Sequence, residues 1–283
     1  MKKSFVALCA LAAACGQSTE QAPQGPAVQL YAMDCGRATF TNVGMFGSNG
    51  EYEGQARTLV DPCYLIRHPN GDLIWDTGFP DEVHNLPEGL SIPSMGAHVT
   101  MPTTLVAQLA QINVTPADID YVSLSHSHGD HTGNSTIFTD ATWLVDVDER
   151  NWMFRDEARI GPEFASYALL EGRPTQLIEG EGNYDVFGDG SVVIIQAPGH
   201  TPGHAVLLVR LQNAGAVILS GDMYHLAESR ERRTIPRFNT DAAQTLASMD
   251  KIERIAAENN ARVIRQHVQE DFDSLPRFPE ALN

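Results

Sequence analysis

Three histidines and one aspartate lie within six residues of the chain, in the segment HSHGDH at 126–131. Neutral imidazole and carboxylate groups are the ligands that zinc and the neighbouring first-row metals prefer. The segment follows an apolar run, DYVSLS, and three more apolar runs end in the same kinds of side chain, at His200, Asp222 and His267. Because ligands bind at the ends of strands in layered α/β folds, the sequence predicts a metal site assembled from four distant segments.

The seven candidate ligands divide into two groups around one shared carboxylate. Residues two apart in an extended segment point to the same side, and the first ion is assigned to His126, His128 and His200. The second ion is assigned to Asp130, His131 and His267. Asp222 is the candidate bridge between the two ions. Each ion then has an incomplete protein shell that water must complete, which is typical of a catalytic site and predicts hydrolysis.

Further polar residues near these runs are expected to support the ligands or to lie elsewhere. Asp76 ends the run LIWDTG, and a hydrogen bond to a ligand is expected of it rather than direct coordination. His204 is expected to pack against the site, with contact to a ligand as the alternative. The remaining histidines are interpreted as surface or loop residues, namely His68, His84 and His98.

The elements that must position these residues are short apolar runs rich in β-branched side chains, which predict strands. They are VQLYAM, CYLIR, DLIWDTG, DYVSLS, SVVIIQA, HAVLLVRL, AVILSGD and RVIRQH. Helices are predicted after Pro102 and after a cap at Asp241 with Gln244 three residues on. The mixed order of strands and helices predicts layered helices and sheets in one domain.

The composition excludes several classes of protein. The chain has 283 residues and is 42% hydrophobic, which is enough for a substantial core. Its 19 basic and 36 acidic side chains give a net charge of −17, which disfavours a nucleic-acid partner. Beyond the N-terminus, no apolar run approaches the roughly 18 to 20 residues of a membrane span.

The N-terminus is interpreted as a targeting segment. Residues 1–14 are predicted to be a signal peptide, residues 15–26 a flexible tether, and residues 27–283 the folded domain. Small residues before Cys15 are typical of a lipoprotein signal, with ordinary cleavage to a soluble product as the alternative. We therefore expect export, to the periplasm or to a lipid anchor on Cys15. Membrane contact is expected only through that anchor.

Three features are left open by the sequence. Cys35 and Cys63 form either a disulfide or two buried thiols. Two apolar excursions, at 39–57 and 151–171, either line a binding cleft or pack on the core, and the cleft candidates are Met45, Phe46, Trp152 and Phe154. The oligomeric state is also open, a homodimer included.

The HSHGDH segment resembles the metal signature of the metallo-β-lactamase superfamily, and His200, Asp222 and His267 occupy its remaining ligand positions. Within that superfamily, several segments are similar to the N-acyl homoserine lactonases, namely PCYLIRHPNGDLIWDTGFP, LIEGEGNYDVF, APGHTPGH, SGDMYH and QHVQEDFDSLPRFPE. The resemblance implies a four-layer αββα sandwich, two divalent metal ions and ring opening of a quorum-sensing lactone. Zinc is the expected metal, with cobalt, manganese or iron as alternatives.

Catalytic groups are also expected beside the metal ions. Asp130 is a candidate proton shuttle for the leaving alkoxide. The best-known lactonases of this family have a tyrosine three residues after the bridging aspartate, where it steadies the substrate carbonyl. Here Tyr224 lies two residues after Asp222 and His225 lies three after it, and Tyr224 is ranked first.

Two other functions are compatible with these motifs. One is a different hydrolase on the same scaffold, such as a broad esterase, a thioester hydrolase or a β-lactamase. The other is a metal-binding lipoprotein without catalysis, which the incomplete ligand shells disfavour. Turnover measured against metal content distinguishes these functions.

Overall fold

A computed structural model of the chain describes residue 1, residues 27–180 and residues 182–283. Residues 2–26 lie outside the described residues, and they contain the predicted tether, the lipidation site at Cys15 and all of the predicted signal peptide except Met1. Among the described residues, no helix combines the length and apolar character that crossing a membrane requires.

Thirteen described strands form two sheets, which the chain builds one after the other. The first sheet contains β1 (Gln29–Phe40), β2 (Arg57–His68), β3 (Gly71–Trp75), β4 (Leu90–Ile92), β5 (Ala97–Thr100), β6 (Tyr121–Ser123), β7 (Thr142–Asp146) and β8 (Thr175–Ile178). The second contains β9 (Tyr184–Asp185), β10 (Val192–Gln196), β11 (Ala205–Leu211), β12 (Gly215–Leu219) and β13 (Arg262–Ile264). Their orders are β4-β5-β1-β2-β3-β6-β7-β8 and β13-β12-β11-β10-β9.

The helices of the described residues are mostly short. They are α1 (Leu105–Gln111), α2 (Gly129–Thr132), α3 (Val147–Met153), α4 (Asp156–Arg159), α5 (Phe164–Tyr167), α6 (Ser229–Arg232), α7 (Ala242–Glu258) and α8 (Gln269–Asp273). Single 3-10 turns include Gly44–Phe46 and Gly221–Met223. The cap predicted for α7 is present, because the Asp241 side chain accepts a hydrogen bond from the Gln244 N–H at 2.9 Å.

Alternating side chains on the strands build the layers. Tyr64 and Leu73 of the first sheet pack against Leu207 of the second, so a shared apolar core lies between the sheets. On the outer faces, α1 packs against the first sheet and α7 packs against the second, where Leu208 points away from the shared core. The fold is therefore the predicted single mixed α/β domain, with two sheets between helices, and every predicted strand is formed.

The structure decides between two alternatives that the sequence leaves open. Cys35 and Cys63 form a disulfide that joins β1 and β2. The 151–171 excursion packs on the core, since Phe154 contacts the rings of Trp143 and Tyr167. Phe154 therefore does not serve as a cleft wall.

One histidine differs from its predicted place. The sequence predicts His68 at the surface or in a loop, but its side chain is buried at the end of β2. It stacks on Phe187 with 4.0 Å between ring centroids, and its Nε2 lies 2.9 Å from Asp189 Oδ2. The apolar surface of an imidazole explains this packing, which the polar character of the residue alone did not predict.

Candidate metal centre

The seven predicted ligands lie together at one edge of the two sheets. His126 and His128 follow β6, Asp130 and His131 lie in α2, and His200 follows β10. The remaining two are Asp222, in the 3-10 turn after β12, and His267, after β13. Because β12 and β13 are parallel neighbours, their ends bring these two side chains to the same place.

The first group converges on a small volume. His128 Nδ1 lies 2.8 Å from His126 Nε2 and 3.2 Å from His200 Nε2. Two ligands that are each about 2.0–2.1 Å from one tetrahedral zinc ion lie about 3.3 Å apart. The spacing of the three imidazole nitrogens therefore fits a shared divalent metal ion.

The second group lies on the other side of the Asp222 carboxylate. Asp222 Oδ1 is 2.8 Å from His267 Nε2 and 3.3 Å from His131 Nε2. Asp222 Oδ2 is instead 3.6 Å from both His126 Nε2 and His200 Nε2. One carboxylate oxygen thus faces each group, which is the arrangement that a bridge between two ions requires.

Asp130 completes the second group from its more open side. Its carboxylate lies 3.9 Å from His131 Nε2 and 4.0 Å from His267 Nε2. Its side chain is about one-third exposed, whereas the histidines are buried. The donors of each group lie within 4.8 Å of one another.

Burial and charge set the protonation of these residues. Burial lowers the pKa of His126 and of His200 well below the usual value, so both imidazoles are neutral and able to bind a metal. Burial also lowers the pKa of His267, but the Asp222 carboxylate outweighs it and raises that pKa to about 9.

Hydrogen bonds from outside the ligand set orient the ligands. Asp76 makes the predicted contact, because its Oδ2 lies 3.0 Å from His131 Nδ1 and its Oδ1 accepts from the Ser125 N–H at 2.6 Å. His267 Nδ1 lies 3.0 Å from the Val60 carbonyl oxygen. Such contacts fix the tautomer and the ring plane of a metal ligand.

His204 supports the bridging aspartate by accepting a hydrogen bond from the backbone N–H of Asp222. His204 Nδ1 lies 3.1 Å from the Ala197 carbonyl oxygen, and its Nε2 accepts from the Asp222 N–H at 3.0 Å. Burial lowers the pKa of His204 to about 4, which keeps the ring neutral and Nε2 free to accept. Contact with a ligand residue, the alternative interpretation of His204, is therefore the one observed.

The position of Tyr224 requires a correction. The Tyr224 hydroxyl donates to Glu253 Oε1 at 2.8 Å, and the ring packs among apolar residues beside α7. The Tyr224 side chain therefore does not face the metal centre. The prediction that Tyr224 is the first candidate to donate to the substrate carbonyl is wrong. The reason is local geometry, because Tyr224 returns to an extended conformation after the turn and neighbouring side chains then point to opposite sides.

His225 is the residue that turns toward the centre. Its Nε2 is buried and lies 3.0 Å from Asp222 Oδ2, without the geometry of a hydrogen bond. The rings of His200 and His267 lie 5.0 and 6.1 Å from its ring. His225 thus carries a polar nitrogen beside the ligands that has no hydrogen-bond partner among the described residues.

An aromatic wall, which we define as Phe46 and Phe238, borders the metal centre. Phe46, a predicted cleft residue, has its ring 5.1 Å from the His225 ring. Phe238, which sequence reasoning missed, lies 5.9 Å from His128. Met45 is half-buried in the same apolar cluster. Phe238 lies in a loop without hydrophobic periodicity, so no sequence signal distinguished it.

Comparisons with known proteins agree with this geometry. The sequence profile of the metallo-beta-lactamase superfamily matches residues 58–262. The chain is 30% identical to the N-acyl homoserine lactonase AttM of Rhizobium radiobacter, over 89% of this chain and 98% of that protein. It is 26% identical to the N-acyl homoserine lactonase AiiA of Bacillus thuringiensis subsp. kurstaki, over 90% and 98% of the two chains.

Solved structures show the same similarity. An N-acyl homoserine lactone hydrolase with N-hexanoyl-L-homoserine at its catalytic metal centre matches with a TM-score of 0.74 and 26% identity, over 90% of this chain and 98% of that one. The dizinc quorum-quenching lactonase AidC matches with a TM-score of 0.64 and 16% identity, over 90% and 89% of the two chains, which shows the shared fold.

Proposed function

Because the chain belongs to the metallo-beta-lactamase superfamily, we propose that it uses two divalent metal ions to open the lactone ring of N-acyl homoserine lactones. The observation that carries this proposal is the division of seven donors into two groups that share the Asp222 carboxylate. The similarity to lactonases along nearly their whole length supports the substrate class.

Zinc is the proposed metal. Five imidazoles and two carboxylates supply nitrogen and oxygen donors, which suit zinc and are also accepted by cobalt, manganese and iron. Elemental analysis of the purified protein tests this point, and we expect two zinc ions per chain. A different metal at the same stoichiometry would show that zinc is not the bound metal, and the assignment of the seven ligands would remain unchanged.

The bound ions would supply Lewis-acid activation of the ester carbonyl and of a water molecule. The residues of the chain then have separate tasks. Asp222 holds the two ligand groups in register, and Asp130 lies at the open side, where it can move a proton to the oxygen of the opened ring. His225 directs its unpartnered Nε2 toward the centre, where it can donate to the lactone carbonyl.

The aromatic wall is proposed to contact the acyl chain. Phe46 and Phe238 lie edge to face, with 5.7 Å between their centroids, and both border His225. An apolar surface beside the reacting centre favours substrates with a hydrocarbon substituent over small polar esters.

The decisive experiment follows acid release by the metal-loaded protein. Short-chain and long-chain acyl homoserine lactones are compared with nitrocefin and a thioester. We expect turnover of the lactones alone and a loss of about 100-fold or more in His128→Ala and Asp222→Ala. His98→Ala, which removes an exposed imidazole on β5, is the matched control and should retain full activity.

Each alternative function has its own result in this assay. Turnover of nitrocefin or of the thioester, without turnover of lactones, would replace the proposed substrate. A fully metal-loaded protein that hydrolyses none of these compounds would contradict the lactonase proposal and favour a metal-binding role.

We further propose that the chain is exported and lipidated at Cys15. The apolar start of the sequence supports this proposal, and so does the Cys35–Cys63 disulfide, because disulfides persist in oxidising compartments. Cell fractionation tests it. The protein should sediment with membranes, and Cys15→Ser should remove it from that fraction. Recovery of the wild-type chain in the cytosol would contradict export.

A further inference from the structure

Glu149 is a buried carboxylate next to the metal centre, and none of the roles assigned so far uses it. It lies in the first turn of α3, directly after β7, and its side chain is almost wholly inaccessible. A buried carboxylate is costly unless hydrogen bonds compensate for the lost solvation. Its partners therefore indicate why the fold retains it.

Those partners belong to the loop that carries His200. Glu149 Oε2 accepts from the Thr201 hydroxyl at 2.7 Å and from the Gly203 N–H at 3.0 Å. Thr201 directly follows the ligand His200, and Gly203 directly precedes His204. The Oε2 oxygen of Glu149 thus fixes the His200 loop at the residues that follow His200 in the chain.

The second carboxylate oxygen of Glu149, Oε1, is buried and has no hydrogen-bond partner among the described residues. Burial raises the pKa of Glu149, and the hydrogen bonds from Thr201 and Gly203 oppose that rise. The hydrogen bonds that Glu149 makes therefore go to the segment that supplies His200 to the first metal group.

Close packing makes this contact rigid. A Cβ atom added to Gly203 would lie 2.3 Å from the Glu149 backbone nitrogen and 2.7 Å from Asp146 Oδ1, so only glycine fits. Asp146 caps α3 and also accepts from the side chain of Gln196, the last residue of β10. The first turn of α3 is thus tied to both ends of the His200 loop.

We propose that Glu149 is a positioning residue for the metal ion at His126, His128 and His200. It fixes the loop that carries His200 and thereby holds the His200 imidazole at the separation from His128 that a single ion needs. No corresponding contact from Glu149 to Asp130, His131 or His267 is found among the described residues. Its effect should therefore be confined to one of the two ions. The inference requires the metal centre but not the lactone substrate.

The test measures metal affinity rather than turnover. Zinc is titrated into apoprotein in competition with a chromophoric chelator, in a His267→Ala background that weakens the second group and in a His200→Ala background that weakens the first. Glu149→Ala should weaken zinc binding about 10-fold in the first background and have little effect in the second. Equal losses in both backgrounds, or no loss in either, would overturn the proposal.

Matched variants separate positioning from general stability. Glu149→Gln retains an oxygen that accepts from Thr201 and Gly203, so it should restore most of the affinity. Asp148→Asn removes an exposed charge from the same helical turn and should change neither affinity. The visible spectrum of the cobalt-loaded protein should change for Glu149→Ala and not for Asp148→Asn, because the spectrum reports ligand geometry.

Thr201→Val keeps the inference testable if Glu149→Ala does not fold. It removes one donor to Glu149 without changing the charge, so a smaller loss confined to the first ion is expected. Thr201→Val with unchanged zinc affinity in the His267→Ala background would contradict the proposal.

Discussion

At the scale of single residues, Asp222 links the two halves of the centre. Its two oxygens face different ligand groups, and its backbone N–H is held by His204. The imidazoles around it, with His225 and His267 foremost, outweigh burial and hold the pKa of Asp222 well below its usual range. The carboxylate is therefore charged at any working pH, as a bridge between two cations must be.

The different orientations of Tyr224 and His225 give the first prediction. His225→Phe should lower kcat/KM about 10- to 100-fold, because it removes the proposed donor to the substrate carbonyl. Tyr224→Phe should leave kcat/KM nearly unchanged and lower stability by about 1 to 2 kcal/mol, since it removes only the bond to Glu253. Steady-state kinetics and urea unfolding check both values. A large loss of kcat/KM in Tyr224→Phe, with little change in His225→Phe, would show that Tyr224 and not His225 takes part in the reaction.

His204 gives a prediction about pH. Its pKa is about 4 in the folded protein and about 6.5 in the unfolded chain, so only the unfolded chain binds the proton between these values. The stability that neutral His204 contributes is present above about pH 6.5, and about 3 kcal/mol of it is lost as the pH falls to about 4.

His204→Gln is the matched variant for this measurement, because a glutamine oxygen can accept from the Asp222 N–H but does not titrate. Unfolding free energies of the two apoproteins should converge as the pH falls from about 6.5 to about 4. A constant difference across that range would show that His204 does not titrate as described.

The metal ligands could be predicted from the sequence because each follows a strand, and strand ends meet at one edge. The direction of a side chain after a turn could not be predicted in this way. Tyr224 and His225 are neighbours, and only the conformation at Gly221–Met223 determines which of them faces the ions. Phe238 and Glu149 act through contacts across the fold, which leave no pattern in the local sequence.

At the scale of elements, the segment after β3 supports the helix that carries Asp130 and His131. The Thr77 N–H donates to the His131 carbonyl at 2.8 Å, and the Gly133 N–H donates to the Gly78 carbonyl at 2.9 Å. The Asn134 side chain donates to the Thr77 and Phe79 carbonyls. Helix α2 has a single turn and depends on these bonds for its position.

Gly78, in the segment that follows β3, has no space for a side chain. Its φ is +65°, and a Cβ atom there would lie 2.2 Å from the Cys35 Cβ. Gly78→Ala should lower stability by about 2 to 4 kcal/mol and weaken binding of the second metal ion, because the segment must move away from the Cys35–Cys63 disulfide and its hydrogen bonds to the α2 region are then disturbed. Thermal unfolding and zinc competition measure the two effects.

Gly215→Ala is the control for this substitution. Gly215 has a φ of +76° and open space around its Cβ position, so the variant suffers the backbone strain without the collision. It should lower stability by about 1 kcal/mol and leave zinc binding unchanged. Equal effects of the two substitutions would show that strain, not contact with the disulfide, matters at Gly78.

At the scale of the whole molecule, the Cys35–Cys63 disulfide closes a long stretch of chain between β1 and β2. The two cysteines are 28 residues apart, and closing such a loop stabilises a fold by about 3.6 kcal/mol in the chain-entropy view. The double variant Cys35→Ala, Cys63→Ala should lose about that free energy of unfolding in urea. Reduced wild-type protein should unfold at the same midpoint as the variant, and a midpoint equal to that of the oxidised protein would contradict this role.

The chain between the two cysteines carries Met45 and Phe46, and both of its ends are fixed in paired strands. The entropy of closing a loop grows only slowly with its length. Insertions or replacements in this stretch can therefore alter the aromatic wall while the strands, the disulfide and the metal ligands remain in place. The loop between the cysteines can therefore change in sequence while the metal centre cannot. Preference for different acyl chains can evolve, or be engineered, in that loop without any change to the metal ligands.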